Sequence, residues 1–177
     1  MPTDDPVPRA IDAPGTPVSV RFLVSHPAHF LALGFGAGLS PAAPGTVGTL
    51  VAIPIAALLW RIGHDVLYVA VVLALTAAGV WAAARTTRDL GRDDDGAIVI
   101  DEIAAFVALL FVVGDGPLRI AYAFALFRLF DVVKPPPIGW LDAHVKGGLG
   151  VMLDDVVAAA LAAFVYAVTV RLTGWPA

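Results

Sequence analysis

Residues 66–84, VLYVAVVLALTAAGVWAAA, are nineteen consecutive residues without a charge. A run of that length and composition reads as a helix able to cross the apolar core of a bilayer. Just before it stands VGTLVAIPIAALLW (47–60), joined by Arg61-Ile62-Gly63-His64-Asp65. So short a joint makes the pair an antiparallel hairpin, and Pro54 is tolerated because neighbouring groups satisfy the carbonyl it frees. Further on come AIVIDEIAAFVALLFVV (97–113), PLRIAYAFALFRLFDVV (117–133) and VVAAALAAFVYAVTV (156–170). Pro117 follows Gly114-Asp115-Gly116 and suits the first position of a helix. The expected fold is all-α, a polytopic helical membrane protein with about four to five membrane-embedded helices.

Composition agrees. Hydrophobic residues make up 59% and charged residues 15% of the 177, against roughly 45–50% and about 25% in soluble domains, and the mean hydropathy is +0.84. That length allows a single helical membrane domain over residues 18–177. Residues 1–17, acidic and rich in proline, read as a disordered tail and not as a cleaved leader. A net charge of −4 gives no basic stripe for nucleic acid. With no cysteine, disulfides, thiolate metal sites and Cys nucleophiles are excluded. Residues 18–34, broken by Arg21, His26 and His29, read as an interfacial or partly buried helix. The two histidines read as a solvated or interfacial pair and not as metal ligands.

The charges that survive in the apolar runs carry the functional signal. Asp101 and Glu102 fall roughly a turn and a half past the expected start of 97–113. An acid placed deep in a bilayer costs about 2.5–3.5 kcal/mol and marks a functional candidate by default, the structural alternative being a pairing with Arg128. The stretch FRLFDVVKPPPIGWLDAHVKGGLGVMLDD (127–155) concentrates more charge. Arg128 and Asp131 share a helix face, Pro135 ends the helix at Lys134, and Asp154-Asp155 arrive at the head of the last apolar run. In the polar loop 85–96, Asp93-Asp94-Asp95 reads as a solvated charge run, with Asp95 an N-cap for the helix that follows.

GFGAGLSPAAPGTVGT (34–49) holds five glycines, two prolines and three hydroxyls. It is no Walker A loop and no GxGxxG. It is either a capped turn, with Thr46 or Thr49 as the N-cap, or an anion site whose backbone N–H groups face a phosphate. Gly45, Thr46 and Thr49 are its candidate substrate contacts. If the five helices alternate in direction, this loop, the 85–96 loop and the 134–153 loop share one side. Eight of the eleven Lys and Arg lie on that side, which names it cytoplasmic.

Clustered oxygen ligands without cysteine suit a hard cation such as Mg²⁺, since carboxylates packed without a counter-charge repel and take up protons. With Arg128, Lys134 and backbone N–H groups beside such a cation, the natural ligand is a phosphate and the natural chemistry is metal-assisted phosphoryl transfer. The competing class is an ion- or proton-coupled transport protein using the intramembrane carboxylates. Against it, the acids gather at one end, and no inverted repeat is visible. A scaffold whose charges merely pair is the third reading.

The motifs GFGAGLSPAAPGTVGT, DDGAIVIDEIAAF and FRLFDVVKPPPIGWLD with GGLGVMLDD resemble, in order and spacing, those of the phosphatidylglycerophosphatase A family, over roughly residues 30–165. The resemblance implies a helical enzyme of the bacterial cytoplasmic (inner) membrane with its site facing the cytoplasm. It also implies Mg²⁺ as cofactor and hydrolysis of phosphatidylglycerophosphate to phosphatidylglycerol and phosphate, and it leaves the oligomeric state open. The family's acids fall on Asp101, Glu102, Asp131, Asp154 and Asp155. Glu102, Asp131 and Asp155 are the first-choice metal ligands it implies. Asp101 and Asp154 serve as ligand, water-orienting base or outer support, and Arg128 and Lys134 as the phosphate clamp. The chain departs from the pattern at Pro136, where an aromatic is expected, and at Lys146, where a His is expected before Gly-Gly. Lys146 is thereby only a candidate headgroup contact.

Overall fold

The computed structural model describes residues 18–92 and 95–176. The expected tail, 1–17, and Asp93-Asp94 lie outside the described residues. Two short helices, α1 (Val20–Ser25) and α2 (Pro27–Ala32), lead into a 3-10 segment, Gly34–Leu39, and five longer helices follow. These are α3 (Pro44–Ile62), α4 (Asp65–Leu90), α5 (Ile100–Val113), α6 (Pro117–Val133) and α8 (Gly147–Thr173), with the short α7 (Ile138–His144) between the last two. Among the described residues there is no strand. The chain is a polytopic helical membrane protein. α3, α4 and α8 are long and apolar enough to cross a bilayer. α5 and α6, with 14 and 17 residues, fall short of the about 20 that a crossing needs.

α5 is the hub. It packs on α3, α4, α6 and α8, and nine of its fourteen residues are buried. Small residues let the neighbours close in, as is usual where helices associate without a hydrophobic drive from water. A Cβ on Gly48 of α3 would lie 2.8 Å from Val99, and one on Gly79 of α4 would lie 2.7 Å from the Met152 sulfur. Gly148 of α8 sits against the backbone of α4 at Val80 and Ala84, where no side chain fits.

Several helix ends differ from the sequence expectation. α8 starts at Gly147, so Asp154 and Asp155 lie two turns inside it and not at its head. The glycines there are poor helix formers by propensity, but Gly148 is packed against α4 and Gly150 against Val145. α4 runs to Leu90, taking in half of the expected 85–96 loop. α5 begins at Ile100, which puts Asp101 and Glu102 in its first turn, where a carboxylate is favoured by the helix dipole. α3 begins at Pro44, with Ala43 in the left-handed region and no side-chain cap, so neither Thr46 nor Thr49 is the N-cap. Asp95 does not cap α5; its Oδ1 accepts from Ala97 N at 3.0 Å and closes a local turn.

Residues 18–34 hold the largest correction. His29 is buried and stacked on Phe22 with centroids 4.0 Å apart. Its Nε2 lies 2.8 Å from Asp89 Oδ2, and its Nδ1 2.9 Å from Ser25 Oγ. Arg85 Nε donates to the same Asp89 oxygen at 2.7 Å. His26 takes the N-cap of α2, accepting from Ala28 N. The pair is therefore structural, one histidine capping and the other pinning α2 to α4. From α2, Ala32 O accepts from Val99 N at 2.9 Å, one residue before α5 starts. His29→Ala leaves Asp89 short of a partner and a void beside Phe22, and is expected to destabilise the protein by about 2 kcal/mol or more. Equilibrium unfolding in mixed micelles measures it.

Candidate active site

Three elements deliver the acids to one end of the bundle: the first turn of α5, the last turn of α6 and the third turn of α8. Among the described residues, one group of acidic side chains is tight enough to share a cation: Asp101, Glu102 and Asp155, each offering an oxygen within 4.8 Å of the others. Of the three ligands expected, Glu102 and Asp155 are in this group, and Asp101 occupies the third position. Asp131 stands beside it, 2.5 Å from Arg128 Nη1 and close enough to Glu102 and Asp155 to repel both. The same Arg128 nitrogen lies 3.6 Å from Glu102 Oε1. Asp101 Oδ1, Glu102 Oε2, Asp154 Oδ1 and Asp155 Oδ2 are buried without a hydrogen-bond partner.

Those four oxygens test whether the residues suit a cation. Buried acceptors without donors are costly, and neighbouring carboxylates add repulsion. A hard divalent cation answers both. Mg²⁺ takes oxygen ligands, carboxylates above all, and Asp101, Glu102 and Asp155 supply such a set within 4.8 Å of one another. The site fits such an ion.

The expected phosphate clamp divides in two. Arg128 faces the acids directly. Lys134, in the left-handed region at φ 46°, donates 2.7 Å hydrogen bonds to Asp142 Oδ1 and to Asp154 Oδ2. Burial works against its charge, but the two carboxylates outweigh it and hold the ammonium above the ordinary lysine range. Asp154 is thus engaged by Lys134, one residue from the cation group. Lys146 Nζ donates to Asp142 O at 3.1 Å and is exposed, beside a small cavity of about 30 Å³ that Thr87, Asp142 and Gly150 also line.

The glycine-rich segment arrives as the N-terminus of α3. Gly45 is packed against the cluster so closely that a Cβ would collide with Glu102 Oε1 and lie 3.2 Å from Arg128 Nη1. Thr49 is buried and its hydroxyl donates to Gly45 O at 2.8 Å, which leaves it to support the turn. Thr46 is half-buried in the first turn.

Asp142 is the residue that sequence reasoning missed. It lies on α7, a seven-residue helix too short for a periodic signal, and only its position eight residues after Lys134 hinted at a pairing. Gly139 permits the approach, since a Cβ there would lie 2.8 Å from Lys134 O. Asp142→Ala is expected to free Lys134 towards Asp154 and to lower phosphatase kcat/KM by about tenfold to a hundredfold, with Asp142→Glu recovering part of it. Steady-state kinetics on the three proteins checks this.

The sequence profile described as Phosphatidylglycerophosphatase A matches residues 30–170. The chain is 42% identical to Phosphatidylglycerophosphatase A of Escherichia coli (strain K12) over 144 residues, 81% of this chain and 83% of the relative. It is 40% identical to Phosphatidylglycerophosphatase A of Haemophilus influenzae over 145 residues, 79% of this chain and 86% of the relative. A Bacteroides thetaiotaomicron protein, provisionally named a phosphatidylinositol-3-phosphatase, is 41% identical over 138 residues, 71% of this chain and 82% of the relative. No solved structure matches significantly.

Proposed function

The chain belongs to the phosphatidylglycerophosphatase A family of phosphatases, and from that premise we propose that it hydrolyses phosphatidylglycerophosphate to phosphatidylglycerol and phosphate with Mg²⁺ as cofactor. The observation that carries the reading is the convergence of Asp101, Glu102 and Asp155 within 4.8 Å, with Arg128 beside them. Acids alone would suit a cation carrier, but acids flanked by Arg128 and a helix N-terminus suit a phosphomonoester.

Asp101, Glu102 and Asp155 would hold the ion, with Asp131 next to them. When bound, Mg²⁺ neutralises the clustered charge and draws electron density from the phosphate oxygens. Arg128 takes phosphate oxygens through its guanidinium, and the N–H groups of Gly45 and Thr46 add the dipole end of α3. Lys134, fixed by Asp142 and Asp154, contributes the second positive charge. Hydrolysis makes a bond from phosphorus to the water oxygen and breaks the one to the glycerol oxygen. A carboxylate of the cluster takes the water's proton, and the glycerol oxygen leaves with a proton in its turn.

The acid end also carries Arg85, Arg88, Arg92, Arg128, Lys134 and Lys146, whereas Arg61, Arg119 and Arg171 stand at the other. That asymmetry supports a bacterial inner-membrane orientation with the site towards the cytoplasm. Phosphate release from phosphatidylglycerophosphate in mixed micelles, with Mg²⁺ and with chelator, tests the reading. Release that needs Mg²⁺ is expected, and its absence with Mg²⁺ present overturns the proposal. Phosphatidylinositol 3-phosphate and phosphatidic acid as rival substrates test the choice of headgroup, and faster release from either overturns that choice.

A further inference from the structure

The bundle end opposite the acids holds a separate cavity of about 320 Å³ between the α3–α4 and α5–α6 turns. Trp60, Tyr68 and Phe111 supply its aromatic walls, and Asp65 and Asp115 its carboxylates. The Tyr68 and Phe111 rings stand 4.9 Å apart. The Tyr68 hydroxyl donates to Val107 O at 3.0 Å, so its polar tip is already engaged within the bundle. Among the described residues, neither Asp65 nor Asp115 belongs to a salt bridge.

Aromatic faces beside unpaired carboxylates select an organic cation, because the ring quadrupole and the negative charges act in the same sense. A bare metal ion is disfavoured, since the only acidic group compact enough for one among the described residues is that of Asp101, Glu102 and Asp155. Beside the cavity, Arg119 lies against Gly114 and Gly116, so a guanidinium stands next to the cation-selecting walls. Exposed apolar side chains flank it, with Leu58 62%, Val66 85% and Val112 63% accessible. Such a surface at the end of membrane-crossing helices faces lipid.

We propose that this cavity binds the ammonium of a zwitterionic phospholipid headgroup, with the headgroup phosphate against Arg119. The site lies at the far end of α5 from the phosphatase cluster and does not rest on the reading given to that cluster. Its ligand is a lipid and not a soluble amine, because the cavity opens among lipid-facing side chains.

The test titrates the full chain in detergent with phosphatidylethanolamine, phosphatidylglycerol or water-soluble phosphoethanolamine, and counts bound molecules by native mass spectrometry. Phosphatidylethanolamine is expected to bind about tenfold more tightly than phosphatidylglycerol. Asp65→Asn with Asp115→Asn should bring the two lipids level, and Trp60→Leu should weaken the preference. Asp115→Asn alone, in a turn, gives the same reading if the double variant fails to fold. Equal binding of both lipids by the unmodified protein overturns the proposal, as does an unchanged preference in the aspartate variants. Phosphoethanolamine competing as well as the lipid overturns the assignment to a membrane ligand.

Discussion

Asp155→Asn is expected to lower phosphate release at least about a thousandfold while leaving the chain folded. Asp155 is 2% exposed, and its Oδ2 has no hydrogen-bond partner. Glu102, Asp131 and Asp154 all repel it. Asparagine keeps the shape and removes one charge from that crowd. The two consequences run in opposite directions. On the proposed reading catalysis loses a cation ligand, while the protein without cation loses a repulsion of roughly 1 kcal/mol or more. Melting in chelator, at a pH high enough to ionise the cluster, should therefore shift upward in the variant, and added Mg²⁺ should stabilise it less than the parent. A variant that stays active, or that melts lower in chelator, contradicts a cation-binding role for Asp155.

Gly45→Ala is expected to lower kcat/KM by about a hundredfold, the scale of losing one well-placed group at a reacting centre. This substitution separates two roles that the sequence left merged. As a donor to phosphate, residue 45 acts through its backbone N–H, which alanine keeps. As a spacer, it acts by lacking a Cβ, and here a Cβ would strike Glu102 Oε1. Alanine must then push Glu102 away from Asp101 and Asp155 or move the start of α3. Activity retained in Gly45→Ala would assign the glycine to phosphate contact alone. Single-turnover kinetics and Mg²⁺ titration, run together, tell a displaced carboxylate from a lost donor, because only the former weakens the metal.

The apolar runs made the long helices legible, since runs of that length have few alternatives to an embedded helix. Proline marked both ends of α6, at Pro117 and before Pro135, whereas the starts of α3 and α8, in glycine-rich stretches, were not legible. Gly147, Gly148 and Gly150 lie before the expected start of the last helix, at Asp154-Asp155, yet Gly148 is helical and only a bare Cα fits against Val80 and Ala84, so packing overrode propensity. Charges lodged in apolar surroundings brought out Asp101, Glu102, Arg128, Asp131, Lys134, Asp154 and Asp155, and the structure brings all of them to one end. What sequence spacing could not supply was partnership. Lys134 reaches Asp142 and Asp154 because α7 folds back beneath it. His29 meets Asp89, sixty residues away, a pairing that no local pattern encodes.

The contact of Gly79 with Ile100 marks where α5 begins against the wall of α4. From that level α4 continues eleven residues to Leu90, a further rise of about 16 Å at helical pitch. Arg85, the first charge on that extension, stands about 9 Å above the level of Gly79. The carboxylates at the start of α5 accordingly begin below the first charge of that extension, overtopped on the α4 side by three turns of helix. On the proposed reading, a phosphomonoester that reaches Asp101 and Glu102 lies alongside that charged extension rather than beyond it.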